Sequence, residues 1–368
     1  MNKTLTRLLT GATALATVLT LAPHPASAVV EETPPIHYWN EATAGLNVNG
    51  TYRTVVGNFS GGATDDIVFN SNNSSTDHLW TSNGDTTFAK QALDGLQPPD
   101  NAIPLVGNFV GDAHEDIFWY GPGSAPDEMW MASGGSFLEA PGTVNGTYDA
   151  KVLDNATGFD SIVWYRTSTG AGSIWAWGSG GTFVQRAITA PANAQVLVGR
   201  FSNDGCADVY FYAQTGRDPL WELDCFGTAT RVDSQTLVGG FSPYVGQFSV
   251  GRDAQDDILW IDPSGIKTLL TENLSAGAFT RSYPTVPHTG TLLRTGNGYA
   301  TIHQWDPASG IHHIWFQVPG RLSFNANLTN TPMRTGYQPI VGAFVGTGED
   351  ILWYAPGSAA ERLFSLPG

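Results

Sequence analysis

Along this chain short runs of alternating apolar and polar residues are cut by Gly, Pro, Asn and Ser, and no stretch after residue 30 keeps a helical period. The runs also recur in a fixed order. An apolar-Gly-polar-Phe run leads into a short Gly/Asp loop, then Asp-Ile/Val-aromatic, then a turn and Leu-Trp. The clearest copy reads Val106, Gly107, Asn108, Phe109, then Asp112, Asp116, Ile117, Phe118, Trp119, Tyr120, and closes at Met129, Trp130. Seven copies follow one another at a mean spacing of about 47 residues, each predicting an inner, a second, a third and an outer strand, the last such as Thr87 to Lys90.

The distance from the residue heading the second run to the aromatic of the third is a check on register. Asp66 to Trp80, Asp116 to Trp130, Ser161 to Trp175, Thr301 to Trp315 and Asp350 to Phe364 are each 14 residues, and Asp208 to Trp221 is 13. The fifth copy, from Asp257, has only Leu269 and Leu270 near that place. A unit of this size cannot bury its faces without neighbours, so the expected fold is all-β: a seven-bladed β-propeller of four-stranded blades.

The ends of the chain complete the pattern. The last copy stops after its third strand, at Arg362, Leu363, Phe364, Ser365, while an outer-strand-like run at Tyr38, Trp39, Asn40, Glu41 precedes the first copy. Val48 to Tyr52 repeats as Val144 to Tyr148, which sets residues 38 to 42 in register with the outer strand near Phe137 and Leu138. An N-terminal strand is therefore expected to complete the last blade by pairing with Leu363 and Phe364, which removes a free sheet edge.

Residues 1–28 carry Lys3 and Arg7, an apolar stretch from Leu8 to Ala22, and Ala26, Ser27, Ala28. This reads as a secretory signal, too interrupted by Thr and Gly for a membrane span, with residues 29–35 as a short lead-in and 36–368 as the propeller. Of the 17 basic residues Lys3 and Arg7 leave with that segment, so 15 face 33 acidic residues, a net charge of −18. Lys90, Lys151 and Lys267 are then the remaining lysines, which argues against nucleic acid or an anionic membrane as partner. The expectation is a soluble, monomeric, extracellular protein. Cys206 and Cys225 flank the hairpin joining the second and third strands of the fourth copy and fall opposite one another, as a disulfide requires.

The recurrent Val-Gly-x-Phe with Asp-Ile-x-Trp resembles the FG-GAP or VCBS repeat family, also found in integrin α propellers, over nearly all of the mature chain. That family carries a Phe-x-Gly-Asp-Gly-x-x-Asp calcium loop. The resemblance implies calcium in the second blade, from Asn108, Asp112 and Asp116, or in the fourth, from Asp204 and Asp208, where Arg200 stands in place of the first acid. The first blade keeps Asn58 and Asp66; the fifth loop is longer, the seventh shorter, and the third and sixth have lost the motif. The alternative is a vestigial loop whose Asp caps backbone amides at the start of the strand.

A residue repeated in most blades is first a packing or turn residue. Ten of the twelve tryptophans, all but Trp39 and Trp177, occupy the recurring second- and third-strand positions and are expected in the core. Trp177 lies off register and is the candidate ligand contact. Propeller lectins similar to this family place sugar pockets between blades, so the expected function is a secreted, non-enzymatic binding module for a glycan or a cell-surface protein. Two alternatives remain. One is an extracellular hydrolase or lyase at the mouth of the central channel, with Asp154, Asp160, Arg294 and Tyr299 of the divergent third and sixth blades as its candidates; the other is a protein-interaction scaffold.

Overall fold

A computed structural model describes residues 40–365 apart from 44, 72–75, 156–157, 178–182, 203, 226–227, 234–236, 249–254, 263–267, 273–279, 283–290, 297–299, 307–310, 318–323, 328–335 and 347. The expected signal, the lead-in and positions 38 and 39 lie outside the described residues. Among the described residues there is no helix, and the strands form seven antiparallel four-stranded sheets. Six sheets take their strands in chain order. The second, for example, uses Ile103–Gly107, Asp116–Tyr120, Asp127–Ser133 and Ser136–Gly142.

The seventh sheet is assembled from both ends of the chain. Its inner three strands are Gln338–Val345, Gly348–Tyr354 and Arg362–Ser365, and its outer strand is Asn40–Ala42. Asn40 faces Ser365, Glu41 faces Phe364 and Ala42 faces Leu363. Arg362 Nε donates to the Glu41 carboxylate at 2.6 Å and so holds the two ends of the sequence together.

The register explains the 14-residue interval. The residue after each strand head sits opposite the third-strand aromatic: Ile67 opposite Trp80, Ile117 opposite Trp130, Ile162 opposite Trp175, Ile302 opposite Trp315 and Ile351 opposite Phe364. In the fifth sheet Ile258 faces Thr271, so that sheet lacks the aromatic there.

Second strands are buried at every position in the first, second, fourth and fifth sheets, whereas the outer strand Phe88–Leu93 is largely exposed. A second strand has a neighbouring sheet on each face, so both of its side-chain rows lie in apolar surroundings. The hydrophobic clusters accordingly span pairs of sheets. Val55, Phe59 and Leu79 pack with Ile117, Trp119 and Trp130; Leu105 and Phe118 with Ile162 and Trp164; Ile67 and Trp80 with Leu352 and Tyr354. Among the described residues six tryptophans, including Trp80, Trp119, Trp130 and Trp164, are fully buried, each contributing at most about 5 kcal/mol of apolar burial.

Two features draw adjacent sheets together. A Cβ at Gly107 would lie 2.9 Å from both Val152 Cγ1 and Asp160 Oδ2, so the glycine of Val-Gly-x-Phe is required by the approach of the next sheet. At the other end of the second strand Tyr120 Oη donates to the Gly146 carbonyl and accepts the Tyr148 amide, tying the second sheet to the segment that starts the third. Tyr354 makes the same pair of bonds with Gly50 and Tyr52, from the seventh sheet to the first.

Candidate functional site

Where an acid heads the second strand, as Asp66, Asp116 and Asp208 do, it is buried and turned inward to backbone. Asp116 Oδ2 accepts the amides of Phe109 and Val110, and its Oδ1 accepts that of Ala132 on the third strand. Asp208 does the same with Ser202 and Leu223, and Asp66 with Ser60 and Ser82. One carboxylate thus ties the inner loop to the third strand, as amide capping requires. In the same loop Asn108 Oδ1 accepts the Gly111 amide, its Nδ2 donates to the Asp112 carbonyl, and Asp112 Oδ1 accepts the His114 amide. Asp204 Oδ1 accepts Ser202 Oγ and the Cys206 amide. No group of three or more His, Cys, Asp or Glu among the described residues is placed to hold a metal ion.

The residue just before the head makes a different bond, to the preceding sheet. Glu115 Oε2 accepts the Asn58 amide at 2.7 Å while the Glu115 amide donates to the Asn58 carbonyl at 2.8 Å. Asp160 repeats this two-point clamp on Asn108, Asp256 on Arg200, and Asp65 on Ala343. These acids crowd one end of the inner strands. Burial, with smaller effects of Asp65, Asp160 and Asp154, pushes the Glu115 carboxyl up to about 7. Burial likewise raises Asp160 to about 6 and shifts Asp65 upward.

At the third-to-fourth junction Ala207 occupies the clamp position, so the carboxylate is missing there. A cavity of about 280 Å³ opens at that place, between Val152, Val198 and Ala207, with Asp154, Arg200, Gln247 and Asp256 as its polar lining. Arg200 Nη2 reaches across to Asp154 Oδ2 at 2.9 Å.

Two residues before the head stands a side chain that covers the loop of the preceding sheet. In the third sheet this is Phe159, whose ring lies so close over Gly111 that a Cβ there would fall 2.0 Å from Cε1. Gly111 has φ +76°, so both its conformation and the ring above it exclude a side chain. Phe159 is 39% exposed, one of four large apolar side chains that stand out into solvent among the described residues. The loop beneath it is polar: the Asn108 side chain accepts the Gly111 amide, and Asp112 is nearly half exposed. His114 holds the equivalent place over Gly61 between the first and second sheets.

Cys206 occupies the same position in the fourth sheet and forms a disulfide with Cys225, their Cα atoms 5.2 Å apart. Trp177 ends the strand Ala171–Trp177, opposite Phe183; its side chain lies outside the described residues, as do Tyr299 and the side chain of Arg294. Asp154 and Asp160 do share one end of the inner strands with Glu115. Neither Phe159 nor Ala207 stands out in the sequence, because each acts on the neighbouring sheet. The signal that finds them is the residue type at fixed offsets before each strand head, compared across the seven copies.

Inner strands of the first to fifth sheets touch in succession, and that of the seventh touches the first. No family model matches the chain, and no curated protein matches it. Solved structures do. A lectin of Agrocybe aegerita that specifically recognises non-reducing terminal N-acetylglucosamine superimposes with a TM-score of 0.57 at 14% identity, over 79% of this chain and 83% of that one. A protein from Lactobacillus plantarum gives 0.51 at 12% identity, over 82% of this chain and all of that one. The fold is a β-propeller. No helix among the described residues is long and apolar enough to cross a membrane.

Proposed function

We propose that this propeller is a secreted glycan-binding module, a closed ring of seven FG-GAP-like blades whose ligands sit in clefts between adjacent blades. The observation that carries this reading is Phe159. An exposed ring seated against a glycine of the neighbouring blade, over a loop that carries an amide and a carboxylate, supplies what a saccharide needs: an apolar face for its C–H groups and polar partners for its hydroxyls. The fold it shares with an N-acetylglucosamine-recognising lectin supports the ligand class. The Cys206–Cys225 disulfide and the signal-like first 28 residues support secretion.

A hydrolase reading has less behind it. Asp160 gives its two oxygens to the amides of Asn108 and Asn155, and Asp154 is paired with Arg200, so neither is poised as a lone acid or base. The test is a glycan-array screen of the mature protein, with and without calcium, beside Phe159→Ala. Retention of discrete glycans by the wild type and loss of signal in the variant is expected. An array that retains nothing, together with glycan hydrolysis abolished by Asp160→Asn, would overturn the proposal.

A further inference from the structure

The cavity at the third-to-fourth junction lies where Ala207 stands in place of a clamp acid. At four other junctions an acid just before the strand head fills the wedge between inner strands and grips the amide of the preceding blade; Ala207 cannot, and the wedge stays open. The polar residues that meet there come from three successive blades: Arg200 and Gln247 occupy the variable position of Val-Gly-x-Phe, and Asp154 the corresponding position of Val152-Leu153-Asp154-Asn155. In the first two blades that position is Asn58 and Asn108, each with its side chain committed to its own loop. This set of side chains, unlike the asparagines at the same position in the first two blades, lines a cavity rather than its own loop.

We propose that this cavity is a second ligand site, which takes one neutral hexose ring through its hydroxyls. The volume, about 280 Å³, lies just below the range of drug-sized sites and suits a single small ring. The guanidinium of Arg200 donates and the carboxylates of Asp154 and Asp256 accept, the complement of adjacent hydroxyls, each of which both donates and accepts. Anionic sugars are excluded by charge, since two carboxylates face one guanidinium and Asp160 and Glu115 lie close by. No aromatic lines the cavity, so binding is by hydrogen bonds and weaker than on Phe159. The inference shares only the ligand class with the proposed function, and a separate set of residues decides it.

The test uses the mature Phe159→Ala protein, which isolates this site, titrated by saturation-transfer NMR with methyl hexopyranosides and with glucuronate. Saturable binding of at least one neutral hexoside, with glucuronate at least tenfold weaker, is expected. Ala207→Asp, which restores the acid found at the other junctions, should abolish that binding. Arg200→Gln, at an exposed position, should weaken it at least tenfold and decides the matter if Ala207→Asp does not fold. Absence of any hexoside binding, undiminished binding in Arg200→Gln, or tighter binding of glucuronate would overturn the inference. None of these results depends on what Phe159 does on the array.

Discussion

Glu115 of the second blade accepts the backbone amide of Asn58 in the first, and its own amide returns a bond to the Asn58 carbonyl. The ring is therefore sewn by acids that it also buries, and burial has a sign. The carboxyls of Glu115 and Glu361 are pushed up to about 7, and those of Asp160 and Asp208 to about 6, with burial the largest cause in each. A carboxyl that binds its proton more tightly in the folded chain than in the unfolded one gives stability that is complete below its ordinary pKa and is lost as pH rises through 6 to 7. Each such group moves stability by up to about 1.4 kcal/mol per pH unit inside that window. The protein should melt at least about 3 °C higher at pH 5 than at pH 8 by scanning calorimetry, and Glu115→Gln, which keeps an acceptor for Asn58, should flatten the profile. A lower melting temperature at pH 5 contradicts this.

Asp116 serves three amides at once, so its loss strands two buried donors and one half-buried donor. Asp116→Ala should cost about 3 kcal/mol or more in urea denaturation, against far less for a change at the exposed Asp112. Equal, small effects at both positions would mean that the capping bonds carry little of the stability.

The disulfide joins Cys206 to Cys225, 19 positions apart in the sequence. Protein from culture medium should have a mass two hydrogens below that of the reduced chain. Replacing both cysteines by serine should cost about 3 kcal/mol. Two alkylatable thiols in untreated protein would refute the bridge.

Removal of residues 29–43 takes away Asn40–Ala42 and exposes the edge carrying Leu363 and Phe364. The whole ring, not a tail, should lose stability, seen as a drop of several degrees in melting temperature with the transition still single. An unchanged transition would contradict the closure.

Much of this fold is legible in the chain because its determinants lie within one repeat. The 14-residue interval encodes the register of Ile117 against Trp130, and the missing outer strand of the last copy points to residues 38–42. What passes between blades is not legible. The spacing of Asn108, Asp112 and Asp116 suits a calcium loop and an amide cap equally, and the backbone groups these side chains bond carry no sequence signature. Phe159 reads as an ordinary loop residue until Gly111 of the preceding blade is set beneath it. Trp177 lies off register, which says nothing of what surrounds it.

Degenerate blades give clefts of unequal quality, so weak monovalent binding and strong multivalent binding go together. A monovalent sugar chosen from the array should bind weakly by calorimetry, and the same sugar displayed on a polymer should bind at least about a hundredfold more tightly. Equal affinities would point to one dominant site.

The most direct test of glycan recognition in a blade cleft is calorimetric titration of the array-selected sugar into the wild type and Phe159→Ala, both in the mature form. Loss of the ring should remove about 1 kcal/mol or more of stacking, reducing affinity at least about fivefold with an unchanged melting temperature. Affinity identical in the two proteins would contradict the account.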